Sequence, residues 1–491
     1  MVPRRNLVLY CAVIATGLSA RGLVAAEEFR CVFTVTEESW NATRPDVLGD
    51  IGGLKSTTGD TPGSKRTKES FRLTIGLSRD YITERRDESS ELLVIHFPTR
   101  RVYNLDQKLK TYRESSLYGH VAFRVNELIN RLAEGARLKA SKQSKAAWQP
   151  PPGVSASLAT KALDQFRSES LFSLRLPKGS QWSDSPSPTS ISSEKGWEFH
   201  YQAEPVVKFV PSELQVPLAF RRGLLHFLVH RCQIHPTIRD KVMESGAWPD
   251  SLWYQSTDLL AEKTVSLKLI STAPASVPEA WAGVPADFTP RFDTNDPLDR
   301  ILAKYREECG VPKISSEKDH AALNLFVDHS LKRDNILDAY LAWYEYNART
   351  GDDAPTIIDR IMATDSPQLH DFLKQDVANV VDGAEKKLRE LNAIDRKGLS
   401  RGYMIDVFRG ALMTLLSRTD EANQQFLKAL KVNPSLASVY VLLGTNYFRS
   451  MATEDAWRCF DAARRITPNS PSLADAKALE TRFERDFPEA F

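Results

Sequence analysis

At 491 residues the chain is too long for one ordinary domain, and its 42% hydrophobic and 26% charged residues are those of a globular protein able to bury a sizeable core. A formal net charge of +2 excludes the strongly basic balance that nucleic-acid binders carry. Beyond the amino-terminal segment no apolar stretch approaches the roughly 20 residues that cross a bilayer, so no transmembrane segment is expected in the mature chain.

Residues 1–26 read as an export signal. Arg4 and Arg5 precede an apolar run from Leu7 to Leu18, and Val24-Ala25-Ala26 supply small residues for cleavage. An exported protein, periplasmic or secreted, is expected. Without Arg4, Arg5 and Arg21 the balance becomes 62 basic against 63 acidic residues. Four cysteines then remain, too few for a disulfide framework in so long a chain. Cys31 and Cys232 either bridge or, with Cys309 and Cys459, are separate buried thiols. Asn41-Ala42-Thr43 is a glycosylation sequon.

From residue 27 to 271 the pattern predicts an antiparallel β-sheet domain with helical insertions. Phe29, Cys31, Phe33 and Val35 alternate with polar residues, as one buried face of a strand requires. Residues 44–68 read as a loop. Strands follow at Phe71–Leu77, Tyr81–Arg85, Leu92–Phe97, Val102–Leu105 and Lys110–Arg113, separated by turn formers. Helical spacing spans Val121–Leu138, a second helix is expected at Ala156–Phe166 and a strand at Ser170–Leu176. The Ser- and Pro-rich runs 139–155 and 179–194 read as loops. Further strands fall at Trp197–Gln202 and Val206–Val210. Residues 212–246 turn helical, with Pro236 opening and Gly246 closing a helix. Strands return at Leu252–Gln255 and Thr264–Ile270, and the proline-bearing stretch 272–297 reads as a linker.

From 298 to 491 the chain reads as helical, and it repeats itself. Gly410, Ala422, Phe426, Ala429 and Pro434 return as Gly444, Ala456, Phe460, Ala463 and Pro468, each after a 34-residue step. Leu443 and Tyr447 flank the second glycine. Small residues permit two helices of a pair to touch, the phenylalanines fill the space between them, and the prolines stop the helices. On these residues the stretch 403–468, with repeats at 403–436 and 437–470, resembles the tetratricopeptide-repeat family. Ala339 and Trp343 keep the same small-then-aromatic spacing upstream. The first copy departs from the family with Met413, Asp406 and Arg409 where aromatic or large apolar residues are usual. The resemblance implies a solenoid whose groove takes a protein or peptide partner, with Arg409, Tyr440 and Asn446 as liners. Val102-Tyr103-Asn104-Leu105 with Lys110-Thr111-Tyr112, and Pro249 to Tyr254, resemble the meander of periplasmic lipoprotein carriers. That likeness implies a curved, half-barrel-like sheet able to shelter a lipid-like ligand.

The fold expected is therefore α+β, a curved antiparallel sheet domain followed by a helical solenoid. Chemistry is sparsely signalled. His226 and His230 share a helix face, as a metal-binding pair must, with Cys232 and His235 nearby, but no glutamate completes a metalloprotease helix. Ser192 and Lys195 form a Ser-x-x-Lys pattern that recurs at Ser315–Lys318, which marks it as chance. No phosphate-binding glycine loop or Gly-x-Ser-x-Gly elbow is present. The leading expectation is a non-enzymatic binding or scaffold protein without a cofactor. The alternatives are a carrier of an apolar ligand and a metal-dependent hydrolase built on His226 and His230.

Overall fold

The computed structural model describes residues 28–40, 66–127, 188–193, 195–201, 204–256, 262–275, 283–309, 316–373 and 380–491. The expected signal, the sequon, residues 44–65 of the loop expected over 44–68, the helix over 156–166 and the strand over 170–176 lie outside them. Two compact units emerge. One comprises residues 1–114, 127–289 and 486–491, and the other 115–126 and 290–485. The chain break thus falls inside the expected linker, but two short segments belong to the unit that sequence order would not assign them.

The first unit carries a 12-stranded open sheet among the described residues, ordered β12-β6-β5-β4-β3-β2-β1-β11-β10-β9-β8-β7. Strands β1 (Glu28–Trp40), β2 (Arg66–Leu77), β3 (Tyr81–Arg86), β4 (Glu91–His96), β5 (Arg101–Asp106) and β6 (Thr111–Ser116) form a meander. A second run of neighbours, β7 (Thr189–Ser193), β8 (Gly196–Tyr201), β9 (Glu204–Gln215), β10 (Ala247–Ser256) and β11 (Glu262–Ala275), joins it where β1 pairs antiparallel with β11. The short β12 (Thr289–Pro290) adds an edge.

Four expectations need correction. Residues 66–68, expected in the loop over 44–68, open β2, because β1 reaches far enough to pair Trp40 with Arg66 and Glu38 with Lys68. Residues 189–193 were expected in a loop, yet Ser and Thr there form β7, a short exposed edge strand held by its ladder to β8. Such a strand needs no apolar alternation because neither face is buried. Strand β9 runs to Gln215, into the stretch expected to be helical. Strand β11 extends to Ala275, into the expected linker, because its partner β1 offers a register from Glu28 to Trp40.

One face of this sheet is covered by helix α2 (Arg221–His230) and helix α3 (Pro236–Ser245). Alternation in β1 buries Cys31, Phe33 and Val35, and the Phe33 ring lies 6.2 Å from that of Phe227 on α2. Phe29 stacks on Trp248 at 5.2 Å. Leu224, Leu228 and Val242 complete an interior close to fully buried. Gly246 closes α3 in the left-handed conformation at φ 66°, as glycine at a helix end does without strain.

The second unit is helical. It contains all but the last residue of a helix over 117–127, designated α1, and α4 (Pro297–Cys309), α5 (Ser316–Lys332), α6 (Ile336–Thr350), α7 (Pro355–Met362), α8 (Pro367–Leu373) and α9 (Val380–Ala393). Then come α10 (Met404–Leu415), α11 (Thr419–Val432), α12 (Ala437–Arg449), α13 (Thr453–Ile466) and α14 (Ala474–Asp486). Residues 374–379 of the stretch expected to be helical lie outside the described residues. No helix among the described residues is long and apolar enough to cross a membrane.

Candidate functional site

The 34-residue period has a physical counterpart. Gly410 on α10 faces Phe426 on α11, where an added Cβ would lie 2.5 Å from the ring. Gly444 on α12 faces Phe460 on α13, where a Cβ would lie 2.7 Å from the ring and 3.0 Å from the Ala456 carbonyl oxygen. The two phenylalanines hold equivalent places in consecutive hairpins. Ala422, Ala429, Leu443, Ala456 and Ala463 are all 0% exposed. Tyr447 is half-buried, and Pro434 and Pro468 follow helices that both exit through extended residues, Asn433 and Thr467.

The hairpin turns match as well. Ser417 and Met451 both adopt positive φ, 59° and 66°. The amide of the residue just before each second helix tells the same story: Arg418 N–H reaches back to Met413 O, and Ala452 N–H to Tyr447 O. The α5–α6 pair repeats this turn. Asp334 has φ 58°, Asn335 N–H reaches Ser330 O, and Ala339 N–H bonds Asn335 O just as Ala422 bonds Arg418 O and Ala456 bonds Ala452 O. Ala339 therefore occupies the position of Ala422 and Ala456 in a third hairpin. A left-handed residue with such back-bonding satisfies the last carbonyls of the first helix.

The expected groove liners are not on a groove. Tyr440 is fully buried and Asn446 is 1% exposed. Asn446 Nδ2 donates to Thr414 Oγ1 and to Asn423 Oδ1, both at 3.0 Å, so it links α10, α11 and α12. Arg409 donates to Leu391 O at 3.0 Å and to Asp406 at 3.3 Å. Asp406, in place of the apolar residue that the repeat pattern leads one to expect, is buried and takes a two-pronged bond from Arg396 at 2.7 and 3.1 Å. These side chains hold the hairpins together. Sequence spacing places them on first helices but says nothing of how closely the next helix covers them.

The second unit instead opens a cleft of about 490 Å³ between α6, α8 and α9. Buried Leu337, Phe372 and Leu391 floor it. Charged Asp371, Lys386, Lys387 and Glu390 surround the apolar floor. Lys387 reaches the Asp371 carbonyl and, at 3.2 Å, Glu390, and the rim residue Lys386 is solvent-exposed. Apolar floor with a polar rim is the make-up of a peptide or small-ligand site.

The histidine pair is engaged otherwise than metal ligation demands. His226 is buried, stacks on Phe97 at 3.7 Å between centroids, and its Nε2 accepts from Arg222 Nε at 3.2 Å. That bond fixes the neutral ring with its proton on Nδ1. Burial, then the neighbouring Arg222 charge, lowers its pKa to about 3. His230 donates from Nε2 to the Ala490 carbonyl at 3.1 Å. A guanidinium on one histidine and a carbonyl on the other oppose a shared cation. His235 caps α3, accepting at Nδ1 from Thr237 N–H, and no group of three metal-capable side chains occurs among the described residues.

Cys31, Cys232 and Cys459 are buried free thiols, so no bridge joins Cys31 to Cys232. Burial pushes Cys232 up to about 12, which makes it inert as a nucleophile. Sequence reasoning missed the polar group beside it. Arg231 bridges Glu84 at 3.0 Å and Glu37 at 3.3 Å, joining α2's end to β3 and β1. Burial raises the Glu84 pKa against the opposing pull of Arg231. It also missed the seat of residues 487–491 against α2, described below.

The two units define the class: an α+β protein with a broad open sheet in one unit and repeated helical hairpins in the other. No protein-family model matches the chain, and a search of curated proteins finds none significantly similar to it.

Proposed function

We propose that this is an exported, non-enzymatic binding or scaffold protein, in which hairpins of the tetratricopeptide kind present a binding surface to a protein or peptide partner. The observation that carries the reading is the shared place of Phe426 and Phe460 against Gly410 and Gly444, with the same turn geometry in the α5–α6 pair. Hairpins built alike stack alike, and stacked helical hairpins form extended surfaces for partners. The α6–α8–α9 cleft is the place on that unit where apolar floor and charged rim meet. The leader-like residues 1–26 support export. The way Arg222 and the Ala490 carbonyl occupy His226 and His230 favours binding over metal-dependent hydrolysis. The sheet face under α2 and α3 is filled by Phe33, Phe227, Leu224 and Leu228, which favours a scaffold over a carrier of an apolar ligand.

Affinity capture from an extracytoplasmic fraction tests it. The wild-type chain retains a protein partner, and Lys386→Glu, which reverses an exposed charge at the cleft rim without touching the core, reduces recovery at least fivefold. Equal recovery by both, or a co-purifying lipid with no protein, overturns the assignment.

A further inference from the structure

The first unit contains a seat for residues 487–491 of the chain. Phe487 and Phe491 are buried and Ala490 is fully so. Arg222 on α2 donates to the Phe491 backbone oxygen at 3.0 Å, and Arg100, in the β4–β5 turn, donates to the same oxygen at 3.3 Å. The Arg100 guanidinium also lies 5.5 Å over the Phe491 ring. His230 donates to the Ala490 carbonyl at 3.1 Å. Arg239 on α3, only 2% exposed, pairs with the Glu489 carboxylate at 3.5 Å. The Arg100 side chain is itself braced on the Phe97 carbonyl, in a turn where its backbone φ is 56°.

This is an assembled recognition site. A ring is held by a cation, an acidic side chain by a buried arginine, and the backbone by donors from α2 and a turn. Each contact reads a feature that a short peptide could bring. We propose that this is a peptide-recognition groove that reads an acidic residue two places before an aromatic one, filled in cis by Glu489 to Phe491 and able to take the same pattern from a partner protein. A ligand tethered in cis acts at an effective concentration on the order of millimolar, so the groove of the intact chain excludes weak competitors. Whatever loosens residues 487–491 exposes it.

The test uses the full chain and a fluorescein-labelled pentapeptide Phe-Pro-Glu-Ala-Phe, as free acid and as carboxyl amide. The double variant Glu489→Ala/Phe491→Ala removes the two side chains that the groove reads and so weakens the hold of the cis segment, with folding checked by circular dichroism and a cooperative melt. At least one form of the peptide binds this variant saturably and at least tenfold more tightly than it binds wild type. Adding Arg222→Ala, an exposed position on α2, or replacing the peptide glutamate by glutamine, weakens binding at least tenfold. The difference between acid and amide reports whether the arginines read a carboxylate or a carbonyl. Where the double variant does not fold, Phe491→Ala alone takes its place. Absence of saturable binding to a folded variant, binding indifferent to both substitutions, or failure of both variants to fold, overturns the proposal; the last makes the segment core.

Discussion

At the scale of single residues, the two repeat glycines make distinguishable predictions. The three atoms nearest an added methyl at Gly410 all belong to the Phe426 ring. At Gly444 it meets the Phe460 ring and also the Ala456 carbonyl oxygen at 3.0 Å. Gly410→Ala and Gly444→Ala should each destabilise the helical unit by about 1–3 kcal/mol through overpacking. Trimming the ring should rescue the first more than the second: Phe426→Leu recovers much of the Gly410→Ala loss, whereas Phe460→Leu leaves the backbone clash at Gly444. Thermal melts of the four single and two double variants check this as two mutant cycles. His226 makes a pH prediction. Its folded pKa, about 3, lies below the ordinary 6.5, so the unfolded chain binds the proton more readily between those values. Stability of the sheet unit therefore rises with pH across that window and is lost as pH falls from 6.5 toward 3. The groups facing the ring are Arg222 and Arg100, which oppose its charge, and the Glu489 backbone, which favours it. His226→Phe, retaining a flat ring against Phe97, should flatten the decline in melting temperature between pH 6.5 and 4. An unchanged slope rules His226 out as the source.

At the scale of elements, what a sequence displays is what has a period. The hairpins were readable because Gly410, Ala422 and Phe426 recur at a fixed step, and Ala339 was readable as their upstream counterpart because it keeps the spacing to Trp343. The contacts behind that pattern were less readable. Asn446 looks like a solvent-facing polar residue, and only the approach of α10 and α11 makes it the buried centre of a hydrogen-bond ladder. Asn446→Ala should cost about 1–3 kcal/mol, since it leaves Asn423 Oδ1 and Thr414 Oγ1 without that donor in the interior; urea titration measures it, and a loss within error would show the ladder to be energetically idle. Asp406 is similar, an apparent defect in the repeat that becomes a paired charge once Arg396 arrives from the loop before α10. The histidine cluster was visible, but so was Arg222 four residues before His226 on the same helix face. That i,i+4 relation was the available signal that the ring is engaged by a cation's donor and is unsuited to a metal. The edge strand β7 gave none, because Thr-Ser-Ile-Ser-Ser owes its strand geometry to the β8 ladder. Charge pairing also crosses elements far apart in sequence. Arg458 on α13 binds Asp299 on α4 and Asp296 just before it at 3.1 Å, with Arg458 8% and Asp299 6% exposed. Arg458→Met strands a buried carboxylate, so a loss of about 3–5 kcal/mol is expected, and adding Asp299→Asn should restore part of it.

At the scale of the molecule, the division into units does not follow the division of the sequence. Residues 115–126 belong to the helical unit although strands of the sheet unit precede them, and residues 486–491 belong to the sheet unit although they follow the last helix. No local pattern announces this, because the decisive contacts join residues hundreds of positions apart: Thr453 donates to the Gly119 carbonyl at 2.8 Å, and Tyr118 to Glu484 at 2.7 Å. In α1, Leu117, Val121 and Ala122 are 0% exposed and Val125 5%. Fully burying each of the three larger side chains is worth about 1.5–3 kcal/mol, so burial of α1 in the full chain amounts to roughly 5–9 kcal/mol before the cost of ordering it, comparable to the net stability of a whole domain. A fragment comprising residues 290–491 thus carries every helix after the break but lacks an element of its own interior. It should be markedly less stable than the helical unit within the full chain, and a synthetic peptide of residues 115–127 added in excess should raise its melting temperature in a concentration-dependent way. A peptide with Leu117 and Val121 both replaced by Ser should not. A fragment as stable alone as in the full chain, and indifferent to the peptide, would show that the helix over 117–127 lies on that unit without supporting it.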